Sequence, residues 1–367
     1  MRLSLPSRAP AAAARRAAPR RRAAAPAGAL KPYRGFAVTE PGGKFEAWEY
    51  SPQPLGPNDI EIKVTHNGLC HSDLHMRDND WGITSFPLIA GHEVVGVVEA
   101  KGDDVTGMEV GDRVGYGWLR GSCRSCDFCL RGNENLCAKG EPTIVGPGCF
   151  GGFQPLMRAP AAFAYHVPEG MDSAEAAPLL CAGITVYSPL RKYVRPAMHV
   201  AILGVGGLGH LAVQFAAAMG ASVTALVLSD DEIEGALALG ASDALTSAAA
   251  FEEAKGRFDV VVNCASARVD GALILGLLRA DGVMVQVGIP GGGVKLSLPL
   301  QDLVFSQKSC AGSIVGGRAD MQEMLNFAAA KGIKPLIETY KLTQINEAAA
   351  RVATGKARYR VVMATDV

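Results

Sequence analysis

Acidic residues are missing from the first 39 positions of this 367-residue chain; the first is Glu40. Residues 1–30 carry seven arginines, many alanines and no acid, and they lack the apolar core that a secretory signal requires. That composition predicts a disordered transit peptide of the chloroplast or mitochondrial type; the protein is cytoplasmic if the leader does not function as one. Long hydrophobic runs are also missing, since none approaches the roughly 20 residues that span a bilayer, and no membrane partner is expected. Aromatic residues make up only 6% of the chain, yet 49% of it is hydrophobic, enough to fill sizeable cores. An excess of base is lacking once the leader is set aside. The 36 Lys and Arg balance 36 Asp and Glu, but seven of those bases lie in the leader, leaving 29 against 36, a net of −7. No basic footprint remains for nucleic acid.

What is present falls into two patterns, and the length alone predicts two domains. From about Tyr33 to Cys181 short alternating apolar runs such as Ile60–Val64 and Val94–Val98 are broken by glycine and proline, which predicts an antiparallel β domain. After Val186 the pattern becomes apolar strand, glycine turn and helix. His199 to Leu203 read as a strand, Gly204 to Gly209 as the turn, and Leu208, Leu211, Ala212, Phe215 and Met219 recur at helical spacing. Further strands near Val223–Leu228, Asp259–Asn263 and Val283–Val287 alternate with helices, so the second domain is expected to be a doubly wound parallel sheet. A helix from Met321 to Ala330 is expected to return the chain to the first domain.

The chemistry concentrates in Cys70-His71-Ser72-Asp73-Leu74-His75, which offers a thiolate, a hydroxyl, a carboxylate and two imidazoles within six residues. With His92 and Cys181 from elsewhere, Cys70 completes three protein ligands for Zn²⁺ and leaves the fourth position open, as a catalytic zinc requires. Asp73 is the candidate to accept the second ring N–H of His92 and fix its tautomer. Cys123, Cys126, Cys129 and Cys137 follow a Cys-x2-Cys-x2-Cys-x7-Cys spacing, compact enough for one tetrahedral structural zinc, with an iron–sulfur cluster as the rival. Disulfides between such near neighbours would be strained. Cys149, Cys264 and Cys310 have no metal spacing and are expected to be small buried residues. The turn Gly204-x-Gly206-Gly207-Leu208-Gly209, between an apolar strand and a helix, has the context of a dinucleotide fingerprint.

The order GLCHSDLH, FPLIAGHEVVG, SCRSCDFCLRGNENLC, PLLCAGITVYSPL, GVGGLGH and GKARYRVV resembles the zinc-dependent medium-chain alcohol dehydrogenases, most closely their cinnamyl-alcohol-dehydrogenase and broad aldehyde-reductase branch. The resemblance implies an α/β two-domain fold. A GroES-like antiparallel β catalytic domain would take residues 31–182 and 321–367, and a Rossmann domain residues 183–320. It implies a zinc-dependent oxidoreductase that interconverts aldehydes and primary alcohols with NAD(P)(H), acting mainly as a reductase on medium-chain or aromatic aldehydes, with Trp81, Trp118 and Phe86 as candidates to line an apolar pocket. The rivals are a polyol or formaldehyde dehydrogenase of the same superfamily and a retired NAD(P)H-binding zinc protein. The lobe at 123–137 is then a structural zinc site, and Glu93 joins Cys70, His92 and Cys181 as an alternate ligand or neighbour of the catalytic metal. Ser72 and His75 match the proton relay, with Asp80 extending it toward solvent. His71, Thr185 and Ser313 match cofactor contacts beside Gly204, Gly206, Gly207, Leu208 and Gly209. A homodimer is the oligomer that the resemblance implies.

The same resemblance implies NADP. However, Val227, Leu228 and Ser229 followed by Asp230, Asp231 and Glu232 stand where hydroxyls and a basic residue would hold the 2′-phosphate. Carboxylates repel a phosphate, so NAD is an alternative, with Ser229 beside the adenosine ribose.

Overall fold

Strand-forming runs in the first half of the chain collect into one antiparallel sheet. Asp59–Leu69 lies at its centre, paired with Val94–Lys101 on one side and Arg360–Ala364 on the other. Its inward residues Ile60, Ile62 and Val64 are buried, as the alternation requires. The sheet continues through Arg113–Tyr116 to Ala164–His166, and Leu156–Pro160 pairs with the first half of the central strand. The computed structural model describes residues 31–246 and 248–367, so the basic leader lies outside the described residues.

The second half forms six parallel strands in the order Asp243–Leu245, Ser222–Leu226, His199–Leu203, Phe258–Asn263, Leu278–Gln286 and Ser309–Gly312. This is the doubly wound order, in which the chain reverses direction between the third and fourth strands listed and opens a crevice at their carboxyl ends. The first strand of the unit matches its expected span. The helix that follows runs Gly209–Ala218. Phe258–Asn263 is buried at every position because helices cover both faces.

The return helix starts at Arg318 and ends at Lys331, longer at both ends than its apolar spacing suggested. Beyond it, Ile337–Lys341 pairs in parallel with Arg360–Ala364, so the last residues belong to the first sheet. Where the chain passes between the sheets, Phe215 sits fully buried with its ring 5.3 Å from Tyr187 and 6.2 Å from Phe327. These three rings come from the helices Gly209–Ala218, Ile184–Tyr193 and Arg318–Lys331. Among the described residues no helix is long and apolar enough to cross a membrane.

Of the three cysteines without metal spacing, two differ from expectation. Cys264 is buried, but Cys149 is only half-buried and Cys310 is exposed. Cys310 lies on the sheet's edge strand Ser309–Gly312, where among the described residues one side of the ladder has no neighbouring strand.

Phe215→Ala should lower the unfolding free energy by about 3–5 kcal/mol, because it empties the meeting point of three helices. The expected readout is a lower urea midpoint at unchanged slope. A loss below about 1 kcal/mol would show that the helices are held by other contacts.

Candidate active site

Cys70 directly follows the central strand and stands at the N-cap of the helix His71–Asp78. Its backbone N–H donates to Asp73 Oδ2 at 2.9 Å, so the carboxylate in the first helical turn anchors the thiol's own backbone. The other oxygen of Asp73 accepts from the Gly91 N–H at 2.9 Å and from His92 Nδ1 at 3.0 Å. A fully buried carboxylate thus joins two of the three segments that bear donor atoms and leaves His92 Nε2 as the free ring nitrogen. Cys181 arrives on a π-helical turn, Leu179–Gly183, whose irregular winding separates the helices Ser173–Pro178 and Ile184–Tyr193. Its Sγ lies 3.3 Å from His92 Nε2.

The donor atoms of Cys70, His92, Glu93 and Cys181 all lie within 4.8 Å of one another, and all four residues are buried. A tetrahedral zinc with Zn–S near 2.3 Å and Zn–N near 2.05 Å places its sulfur and nitrogen ligands about 3.6 Å apart, close to the separation found. The Cys70 thiol is held well below the usual range, first by its hydrogen bond with Cys181; burial opposes this and Arg360 assists it. Cys181 is pushed well up by that same bond and by burial. A bound cation would hold both sulfurs as thiolates. Glu93 Oε2 is buried without a partner, as befits a carboxylate able to turn toward a metal.

One residue of the site, Arg360, is not singled out by the sequence, where it sits inside GKARYRVV. Its guanidinium pairs with Glu93, and Nη1 lies 3.0 Å from where a Cβ on Gly207 would stand. One buried cation thus touches both the metal centre and the glycine turn. A basic residue amid the hydrophobic strand Arg360–Ala364 was the available signal. Burial pushes the Glu93 carboxyl up to about 8 in spite of Arg360, with Cys70 adding to the rise.

The turn itself is built for close approach. Gly204 has φ +84°, and a Cβ on Gly209 would fall 1.9 Å from the Gly204 carbonyl, so the strand passes directly into the helix Gly209–Ala218. Gly206 faces open space, and the first turn of that helix presents the N–H donors that suit a pyrophosphate. Behind the turn, His210 Nδ1–H donates to the Gly206 carbonyl at 3.0 Å, and the ring stacks on Tyr359. Burial drives His210 down to about 3.

Ser72 Oγ is 3.7 Å from Cys70 Sγ, and His75 follows one helical turn later with Nδ1 2.6 Å from Asp80 Oδ2. His71 is exposed, its ring 5.8 Å from that of His75. Thr185 is buried one turn beyond Cys181, and the Ser313 N–H donates to the Gln286 carbonyl at 3.1 Å. Ser229 stands far from the metal donors along the chain, at the N-cap of Asp230–Glu232, without a capping bond from its hydroxyl. All three expected pocket aromatics pack against the core; of them Trp118 meets His92 edge-on at 5.1 Å and Trp81 lies 5.0 Å from His75.

The four cysteines 123, 126, 129 and 137 form a second cluster whose sulfurs are 3.5–3.9 Å apart in three of their pairs. A tetrahedral zinc spaces thiolates about 3.8 Å apart. Four protein donors leave no open position, so this site is structural.

Residues 56–169 match the alcohol dehydrogenase GroES-like domain family, and residues 207–330 match the zinc-binding dehydrogenase family. An aldehyde reductase, AdhA, of Synechocystis sp. is 44% identical over 90% of this chain and 98% of that protein. The chain belongs to the zinc-binding alcohol dehydrogenase family. Within the family its branch is that of the cinnamyl alcohol dehydrogenases and aldehyde reductases. The structure of a cinnamyl alcohol dehydrogenase from Sorghum bicolor superposes with a TM-score of 0.87 at 38% identity, covering 91% of this chain and 98% of that one. A cinnamyl alcohol dehydrogenase from Helicobacter pylori complexed with NADP(H) gives 0.84 at 30% identity over 91% and 98%. Family membership makes this chain a zinc-dependent, NAD(P)-linked enzyme of the alcohol dehydrogenase and aldehyde reductase type.

The two clusters should respond differently to loss of a thiol. Cys181→Ser is expected to leave a folded protein with about one zinc in place of two and no turnover. Cys126→Ser should instead lower the melting temperature first, because a closed site contributes folding energy. Full activity in the first variant, measured with its zinc content, or unchanged melting in the second, would reverse the assignment.

His210 supplies a pH test. A histidine held near 3 when folded and near 6.5 when unfolded binds its proton more readily in the unfolded chain, so its contribution is full above about pH 6.5 and declines as pH falls toward 3. His210→Gln should therefore flatten the acid side of the stability curve by up to about 1.4 kcal/mol per pH unit between pH 6 and 4. Parallel curves for the two proteins would contradict the buried neutral imidazole.

Proposed function

We propose that this enzyme works mainly as a reductase of medium-chain or aromatic aldehydes, with Ser72 and His75 returning the proton. The observation that carries the proposal is the juxtaposition of the open three-donor cluster Cys70, His92 and Cys181 with a hydroxyl and an imidazole on the same short helix. When bound, zinc polarises the carbonyl and a reduced nicotinamide supplies the hydride. The substrate oxygen takes its proton from Ser72 Oγ. His75 restores that proton: Asp80 accepts the Nδ1–H, which leaves Nε2 as the ring nitrogen that passes the proton on. Trp118 and Trp81 flank this line and supply apolar wall for a chain or ring.

The cofactor reading rests on the loop after Ser222–Leu226. Leu228 is 90% exposed there, its N–H donates to Glu232 at 3.1 Å, and Asp230 accepts from Thr246. Arg358 reaches the loop but pairs with Glu232 at 3.4 Å. A 2′-phosphate would meet carboxylates and a cation already engaged, so any preference for NADP over NAD is weak or reversed. The exposed Leu300, Val304 and Phe305 and the open edge strand Ser309–Gly312 support a homodimer joined along that edge. The arginine-rich, acid-free leader supports delivery to a chloroplast or mitochondrion.

Aldehyde-dependent oxidation of NADPH and NADH, with and without chelator and across a panel that includes formaldehyde and a sugar, tests the whole reading. Chelator should abolish turnover, and Ser72→Ala should cut kcat about 10²-fold or more with zinc content unchanged. A kcat/KM with NADPH more than about 100-fold above that with NADH, or roughly 2.7 kcal/mol, would sink the cofactor inference.

A further inference from the structure

The four-cysteine lobe does more than close its own loop, because it grips the segment by which the chain leaves the parallel sheet. After the edge strand Ser309–Gly312, residues 313–317 cross back to the start of the helix Arg318–Lys331. The lobe holds this crossover at three places. Asn135 Nδ2 donates to the Ile314 carbonyl at 3.0 Å. Glu134 Oε2 accepts the Arg318 backbone N–H at 3.1 Å, and its Oε1 accepts Arg318 Nε at 2.9 Å. The Gly132 carbonyl occupies the place where a Cβ on Gly317 would stand, 1.6 Å away.

Glu134 is only 3% exposed, which is unusual for a carboxylate unless donors compensate it. Those donors belong to a helix N-terminus 184 residues further along the chain, so the capping of that helix depends on the lobe. The crossover also has a conformation that it would not adopt unaided. Val315 has φ +36°, a region that a β-branched residue avoids, and its side chain is buried. Such a backbone persists only where its surroundings impose it, and the lobe's contacts lie on both sides of Val315.

The crossover leads into the cofactor cleft. The Ser313 N–H donates to the Gln286 carbonyl, and Gln286 lines a cavity of about 460 Å³ together with Asp80 and Trp81. We propose that Glu134 is a positioning residue through which the four-cysteine lobe sets the crossover 313–317, and with it the nicotinamide end of the cleft. This rests on the reading that Ser313 lies beside the nicotinamide. The lobe then acts on cofactor binding through the crossover.

The test uses the full-length, zinc-loaded enzyme, titrated with NADH and NADPH by fluorescence, with zinc content and melting measured on the same samples. Glu134→Ala should raise the cofactor Kd about tenfold, with zinc content unchanged and aldehyde KM altered less than about twofold. Glu134→Gln, which keeps an acceptor for the Arg318 N–H but gives up the charge pair, should fall between. Asn135→Ala, at an exposed contact, should weaken binding about threefold and serves if the Glu134 variants fail to fold. Combining Glu134→Ala with Cys126→Ser should add little to either change alone, because both cut one connection. An unchanged Kd in folded, zinc-replete variants, or fully additive losses in the double variant, would overturn the proposal alone. Failure of the unaltered enzyme to bind either reduced cofactor would overturn the functional reading and this proposal with it.

Discussion

The buried pair of Glu93 and Arg360 is the interaction on which the arrangement of the site depends. The two residues are 267 positions apart, and the Glu93 side chain is fully buried. Desolvating such a carboxylate is costly and Arg360 only partly offsets it, which is why the Glu93 carboxyl sits near 8. A pair of this kind adds little net stability compared with apolar packing, but breaking it leaves an uncompensated charge, so it acts as a register mark. Here it fixes the C-terminal strand against the central one, with Val361 opposite Leu69 and Cys70 immediately beyond. Gly68 makes the pair feasible: a Cβ there would meet Glu93 Oε2 at 1.8 Å.

Around that mark the site divides its work between rigid and open parts. Cys70 and His92 are tied to one carboxylate, Asp73, and Cys181 is carried by a buried π-helical turn, so all three donors are set by backbone packed in the core. The four-cysteine cluster has no free position and contributes structure. Arg360 also lies against Gly207, so one cation stands beside both the metal centre and the glycine turn.

Features confined to one element or one short loop are legible in the amino-acid order. Cys70, Ser72, Asp73 and His75 fall into order because a helix of eight residues allows them few arrangements, and four cysteines within fifteen positions can reach one metal from almost any loop path. The strand His199–Leu203, its glycine turn and the following helix were legible for the same reason: apolar period and glycine placement are local signals. Tertiary structure alone decided which distant groups meet. The pairings of Glu93 with Arg360 and of Glu134 with Arg318 join residues 267 and 184 positions apart, and no spacing rule reaches so far. The exposure of Cys310 likewise follows from its place on a sheet edge, which depends on the order of strands, whereas the buried Cys264 lies just past the interior strand Phe258–Asn263. Local geometry limits what a short segment can do, but burial and ion pairing are properties of the closed chain.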